Sequence, residues 1–262
     1  MNIFALLTIQ VVGLVLLIAA LWWVTKRRLG YRWATLGWGA LAWPLSQVAR
    51  MIVATPILIL LGKVLDPAAL ATASVVLMVL FSGVFEETAR WLVLRFWAKS
   101  ARQWRDGIGF GLGHGGIEAV LRLVYTAITS AILLTNQERF LSLAEMSGQK
   151  DAVAAVQQQI DDLAHLTLPL VTLSWYERAL AIAFHVAMTL LILRAVRERK
   201  WQLWLLAVVL HSSFNAMAVA LLPLGLLPVY IALTVVAAGS LWAVLSGPLS
   251  RSSVENYPLD KL

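Results

Sequence analysis

The segment FSGVFEETARWLVLRFW, residues 81 to 97, carries Glu86, Glu87 and Arg90 inside a run apolar enough to lie in lipid. His114, His185, His211 and Asn215 stand in three further apolar runs. A charge at the centre of a bilayer costs about 2.5 to 3.5 kcal/mol on insertion scales, so it faces a partner, a water-filled cavity or a reaction. Glutamate and histidine exchange protons near neutral pH, and an amide beside them can donate to a developing oxyanion. Such a set suits hydrolysis by an activated water. As an alternative, three histidines with a glutamate could hold zinc with an open water position. The same buried layer also fits an ion or proton pathway, a non-catalytic binder of membrane helices, or charge pairs that only pin helices together.

Missing motifs narrow the chemistry. The sequence has no H-E-x-x-H, no G-x-G-D and no G-x-S-G, which removes a helix-borne zinc motif, an aspartyl pair and a serine nucleophile. It has no cysteine, which excludes disulfides, thiol catalysis and cysteine-ligated metal.

The elements that must position these residues are membrane helices. Of the 262 residues, 60% are hydrophobic and only 13% charged, about half the charge of a soluble domain. Apolar runs of about 20 residues, enough to cross the hydrocarbon core, recur near 2–24, 34–62, 69–96, 107–134, 168–194, 201–222 and 225–246. The net charge of +7 follows the membrane and does not form a nucleic-acid surface. Lys26, Arg27, Arg28 and Arg32 follow the first run, Lys99, Arg102 and Arg105 the third, Arg197, Arg199 and Lys200 the fifth, and Arg251 and Lys261 the last. The positive-inside rule makes that side the cytoplasm and the N-terminus external. Trp22, Trp23, Trp33, Trp97, Trp104, Trp201 and Trp204 gather at the same ends, as an aromatic belt does. The first run lacks a basic n-region and a small-residue cleavage site, so it is read as a retained span.

The expected architecture is therefore all-α: one polytopic bundle of about seven helices over 1–262, N-terminus outside and C-terminus cytoplasmic, in a bacterial cytoplasmic membrane. The polar insertion at about 135–167 carries ERFLSLAEM and DAVAAVQQQIDDLAHL around Ser147, Gly148 and Gln149, a pattern of two short extracytoplasmic helices. Away from the ends, Arg50, Arg90, Arg122 and Arg178 balance Glu86, Glu87, Glu118 and Glu177. Glu86 and Arg90, and Glu118 and Arg122, stand four residues apart, and Glu87 and Arg90 three, so each pair shares a helix face. No role follows for Arg50, Arg122, Glu177 or Arg178. With a rise of about 1.5 Å per residue, Glu86, His185 and His211 come out roughly 15 Å from the cytoplasmic helix ends and His114 roughly 10 Å. Asn215 lies one turn deeper than His211.

Three short strings in order, EETAR at 86–90, FGLGH at 110–114 and HSSFN at 211–215, resemble the motifs of the CAAX-protease and bacteriocin-processing superfamily of membrane endopeptidases. GFGLGHGGIEA, with YERALAIAFH at 176–185, resembles more narrowly the YhfC family of intramembrane peptidases. The likeness covers about 80–222, the third to sixth spans. In the superfamily the first motif usually reads E-E-x-x-x-R, one residue longer than the E-E-x-x-R found here. The resemblance implies a glutamic-type intramembrane peptidase acting on a membrane-associated protein or peptide. In it Glu86 with His114 would activate a water, and His211 with Asn215 would stabilise the oxyanion. Glu87 and Arg90 would position Glu86, and Glu118 and His185 would support His114 or, alternatively, ligate metal. No metal or other cofactor is assigned.

Overall fold

The computed structural model describes residues 2–146, 148 and 151–256. Lys261, Ser147 and Gln149, which entered the charge and turn arguments, lie outside the described residues. The chain is all-helical in order: α1 Ile3–Leu29, α2 Trp33–Leu61, α3 Pro67–Leu92, α4 Trp104–Thr135, α5 Gln137–Met146, α6 Ala152–Ala164, α7 Leu168–Glu198, α8 Trp201–Leu221, α9 Leu226–Leu245 and α10 Arg251–Glu255. Among the described residues, 7 helices are long and apolar enough to span a bilayer, namely α1 to α4 and α7 to α9. The protein is an integral membrane protein. The insertion forms α5 and α6.

Two boundaries differ from the sequence reading. Lys26, Arg27 and Arg28 do not follow the first helix but form its last turn, and Arg197 likewise lies in the last turn of α7. Cations at a helix C-terminus are favoured by the macrodipole, and their long stems let the charge reach water while the backbone stays helical. The third span begins where Asp66 accepts a hydrogen bond from the Ala69 amide (2.9 Å) with Pro67 in the first turn, and it runs on through a π-helical turn, Val93–Trp97.

Chain contacts divide the protein into two compact units, 1–21 with 119–178, and 22–118 with 179–262. In the first, the Gln10 amide donates to Ser174 Oγ (3.0 Å) and Trp175 Nε1 donates to the Gln10 carbonyl (2.9 Å). Glu177 and Arg178 pair with each other there. In the second, α3 packs against both α2 and α8. The later part of α7 supplies much of its core, including Leu190, Ile192 and Leu193, each 0% exposed.

The glycine-rich start of α4 is what lets helices come close enough to share a site. A Cβ on Gly107, Gly111 or Gly115 would meet Leu190, Val186 and His185 of α7 at 2.5, 2.7 and 3.2 Å. On the α2 side, a Cβ on Gly113 would lie 2.0 Å from the Leu36 carbonyl oxygen. Small residues spaced by four line one face of a membrane helix and admit the neighbouring backbone. Leu112, between them, accepts a hydrogen bond from Trp22 Nε1 (3.0 Å) through its carbonyl.

Candidate active site

Four helices of the larger unit deliver the predicted residues to one buried cluster. α3 brings Glu86, Glu87 and Arg90, α4 His114 and Glu118, α7 His185, and α8 His211. None of the seven is more than 6% exposed. Glu86 Oε2 lies 3.2 Å from His114 Nε2, 3.7 Å from His211 Nε2 and 3.8 Å from Arg90 Nη2. His211 Nδ1 lies 2.6 Å from Glu87 Oε1, and that same oxygen pairs with Arg90 Nη1. His185 Nδ1 lies 2.6 Å from Arg90 Nη2, and its Nε2 is 2.7 Å from Glu118 Oε2.

These contacts distinguish the histidines. A guanidinium only donates, so His185 Nδ1 must accept from Arg90 and the ring proton sits on Nε2, facing Glu118. A carboxylate only accepts, so His211 Nδ1 donates to Glu87, and the lone pair of the neutral ring is on Nε2, on the Glu86 side. A carboxylate that fixes a histidine's tautomer is the usual device for orienting an imidazole toward a reacting centre. The shortened E-E-x-x-R spacing still delivers Arg90 to the centre, because a three-residue step from Glu87 and a four-residue step from Glu86 both stay on one helix face.

Asn215 goes elsewhere. Its amide donates to Ser82 Oγ at 2.5 Å, one turn before Glu86 on α3. Gln47 of α2 is a contact that the sequence reading missed: its Nε2 donates to Glu86 Oε1 (3.4 Å) and to Ser46 Oγ (3.1 Å), while its own Oε1 accepts from Arg50. The signal was the polar trio Ser46, Gln47 and Arg50 on an otherwise apolar span. Phe184 closes another side, edge-on to the His211 ring at 5.6 Å and stacked on Phe214 at 4.2 Å.

The donor set can also be tested against a metal ion. Glu86, His114, Glu118 and His185 each offer one ligand atom, all within 4.8 Å of one another, which suits a single divalent cation. His114 Nδ1 is buried with no hydrogen-bond partner among the described residues. Glu118 thus enters the candidate ligand group, while His211 is engaged by Glu87.

A family model described as YhfC intramembrane metalloprotease matches residues 12–237. A protein of Bacillus subtilis (strain 168), described as uncharacterized membrane protein YhfC, is 37% identical over 145 residues, 53% of this chain and 54% of the relative. The match therefore spans about half the length of that relative. No solved structure matches the chain.

Proposed function

Because the chain belongs to the YhfC intramembrane metalloprotease family, we propose that it is an intramembrane peptidase hydrolysing a peptide bond of a membrane-associated protein at the Glu86 cluster. The observation that carries this reading is the closure of two carboxylates and two imidazoles from three helices to within 4.8 Å. In this reading Glu86, His114 and Glu118 would hold a divalent cation, leaving an open position. His185 is kept out of the ligand set, since ligation through Nε2 would displace the proton while Arg90 occupies Nδ1. A bound cation would supply Lewis acidity and bring the pKa of a coordinated water to about 7.

The remaining residues then have proton and positioning tasks. His185, whose Nδ1 accepts from Arg90, would offer its Nε2–H as a hydrogen-bond donor on the Glu118 side. Glu87 orients His211, whose Nε2 faces the reacting centre from α8. Arg90 offsets the charge of two adjacent glutamates and fixes the His185 tautomer. Phe184, edge-on to His211 and stacked on Phe214, gives the cluster an apolar wall on that side.

A second reading uses the same residues without metal, and the 3.2 Å contact between Glu86 and His114 favours it. Glu86 would take the proton of a water, His114 would share it and pass it to the leaving amine, and His211 with Asn215 would stabilise the oxyanion, a term worth about 3 to 4 kcal/mol. The engagement of Asn215 by Ser82 weighs against the last part, and His211 could donate to an oxyanion only with a second proton on Nε2.

Comparing membrane proteomes of cells carrying the wild type and Glu86→Gln tests the function. A membrane protein that accumulates uncut in the variant is the expected result, and identical proteomes with the protein expressed would overturn it. Elemental analysis separates the two mechanisms: about one divalent ion per chain, with activity lost to a strong chelator and restored by the ion, supports the first. Activity that persists without metal supports the second.

A further inference from the structure

The two helices of the insertion treat their apolar residues in opposite ways. α6 keeps Ile160 buried and Val153, Val156 and Leu163 half-buried along one face. Its outer side carries amide–carboxylate pairs, Gln157 Nε2 donating to Asp161 (3.0 Å) and Gln158 Nε2 to Asp162 (2.8 Å). α5 packs on α6, with Ala144 buried and Leu141 half-buried, yet Phe140, Leu143 and Met146, spaced by three, are 37, 52 and 80% exposed. Glu138, Ser142 and Glu145 form a separate polar stripe. A side of α5 that leaves three large apolar side chains bare calls for an apolar cover.

The position of α5 says what that cover is. Asn136 alone separates it from α4, its amide donating to the Ile132 carbonyl (2.9 Å), and the Phe140 backbone amide already reaches back to the Asn136 carbonyl (3.1 Å). The chain therefore turns at the very end of a membrane span. It also folds back along that span. A cavity of about 470 Å³ is lined jointly by Phe140, by Val156 and Leu163 of α6, and by Thr129, Ser130 and Leu133 of α4. Thr129 lies about 9 Å down the axis from Thr135, where α4 ends, so the hairpin comes down to headgroup depth. Ile132 lines the same cavity and ends the exposed stripe Tyr125, Ile128 and Ile132 by which α4 meets lipid. Phe140 thus continues a surface that is already lipid-facing, and all of these residues belong to one compact unit.

We infer that α5 is an interfacial helix, with Phe140, Leu143 and Met146 immersed among the upper acyl chains of the leaflet where α4 ends and α7 begins, and with Glu138, Ser142 and Glu145 toward water. An apolar helix face buried at the boundary of headgroups and acyl chains is how such a helix binds a bilayer. Arg139 has a stem long enough to carry its charge back to the phosphates. α6, with its glutamine–aspartate pairs outward, is the aqueous side of the hairpin. The inference does not depend on the peptidase reading.

The chain has no cysteine, so a single introduced cysteine reports on one position. Full-length Leu143→Cys, Glu145→Cys and, on α6, Gln158→Cys are spin-labelled, reconstituted separately in vesicles of phosphatidylcholine and phosphatidylglycerol, and measured by power saturation. Oxygen, which concentrates in lipid, and a water-soluble nickel chelate serve as the two relaxing agents. The label at 143 is expected to favour oxygen over nickel several-fold more than the label at 158, and to sit about 5 to 10 Å below the phosphates. The label at 145 should resemble that at 158. If Leu143→Cys fails to fold, Phe140→Cys takes its place with the same expectation. Nickel access at 143 or its replacement equal to that at 158 overturns the inference and marks a helix held clear of the membrane. An oxygen preference at 145 equal to that at 143 also overturns it, since no face would then be turned to water. So does low access to both agents at 143: spin–spin broadening that disappears on dilution with unlabelled protein would mark a second copy as the cover, and its absence would mark cover by the chain itself.

Discussion

Arg90 is fully enclosed and faces Glu87, Glu86 and His185 at once. Replacing it with methionine keeps a long apolar stem and removes the charge. Glu87 Oε1 would then keep only His211 Nδ1 at 2.6 Å, and Glu87 Oε2 already has no hydrogen-bond partner among the described residues. Breaking a buried pair by removing one member costs about 3 to 5 kcal/mol, because the other charge is left uncompensated. At about 2 to 4 °C per kcal/mol for a chain of this size class, Arg90→Met should lower the melting temperature by on the order of 10 °C. The assay is tryptophan fluorescence during heating in one detergent at a fixed scan rate, since unfolding there is governed by rate as much as by equilibrium. The double variant Glu87→Gln/Arg90→Met removes both members and should recover about half of the loss or more, a coupling that independent sites would not show. Arg90→Lys keeps the charge but cannot reach Glu87 and His185 with one ammonium as the guanidinium fork does. It should therefore melt near the wild type while the ¹⁵N resonances of His185 report a changed tautomer. If Arg90→Met melts within a degree or two of the wild type, the carboxylates are not ionised partners of Arg90 and the proton assignments built on them fall.

Gly83→Ala would bring a Cβ to 2.3 Å from Ser212 Oγ and 2.7 Å from the Val208 carbonyl. It should push α8 off α3, part Glu87 from His211, cost about 1 to 3 kcal/mol and abolish activity, whereas Gly37→Ala, with nothing within 4 Å, should melt like the wild type. Glu118→Gln should lower the bound metal measured by elemental analysis, while His185→Gln and His211→Ala should retain it and lose activity. Metal lost from His185→Gln alone would place His185 in the ligand set. Reporter fusions at Gly30, Ser100 and Glu198 should share one side of the membrane, the cytoplasmic one, and a fusion between α5 and α6 should report the other. A common side for all four would refute the inferred orientation.

Much of this protein is legible in one dimension, because the bilayer acts on each segment separately. The length and apolarity of each run specify a helix, and seven such runs, with the two short helices of the insertion, stand close to where the sequence puts them. The membrane also makes any charge conspicuous, which is why Glu86, Glu87, Arg90, His114, Glu118, His185 and His211 could be picked out, and helical rise alone put Glu86 and the three histidines at similar depth. Depth is one coordinate of three. It cannot tell which way a helix is turned or which neighbour it meets, so the pairing of His211 with Glu87, of His185 with Arg90 and Glu118, and of Asn215 with Ser82 could not be read from spacing. Gln47 escaped notice because an uncharged amide barely changes the hydropathy of a span, yet α2 turns it onto Glu86. Those choices rest on long-range packing, above all on glycines of α4 whose missing Cβ atoms let α2 and α7 approach from two sides. The sequence by itself determined which groups lie in the membrane and how deep. Only the tertiary structure decided which of them share a proton, since a hydrogen bond depends on angstroms between helices far apart in the chain.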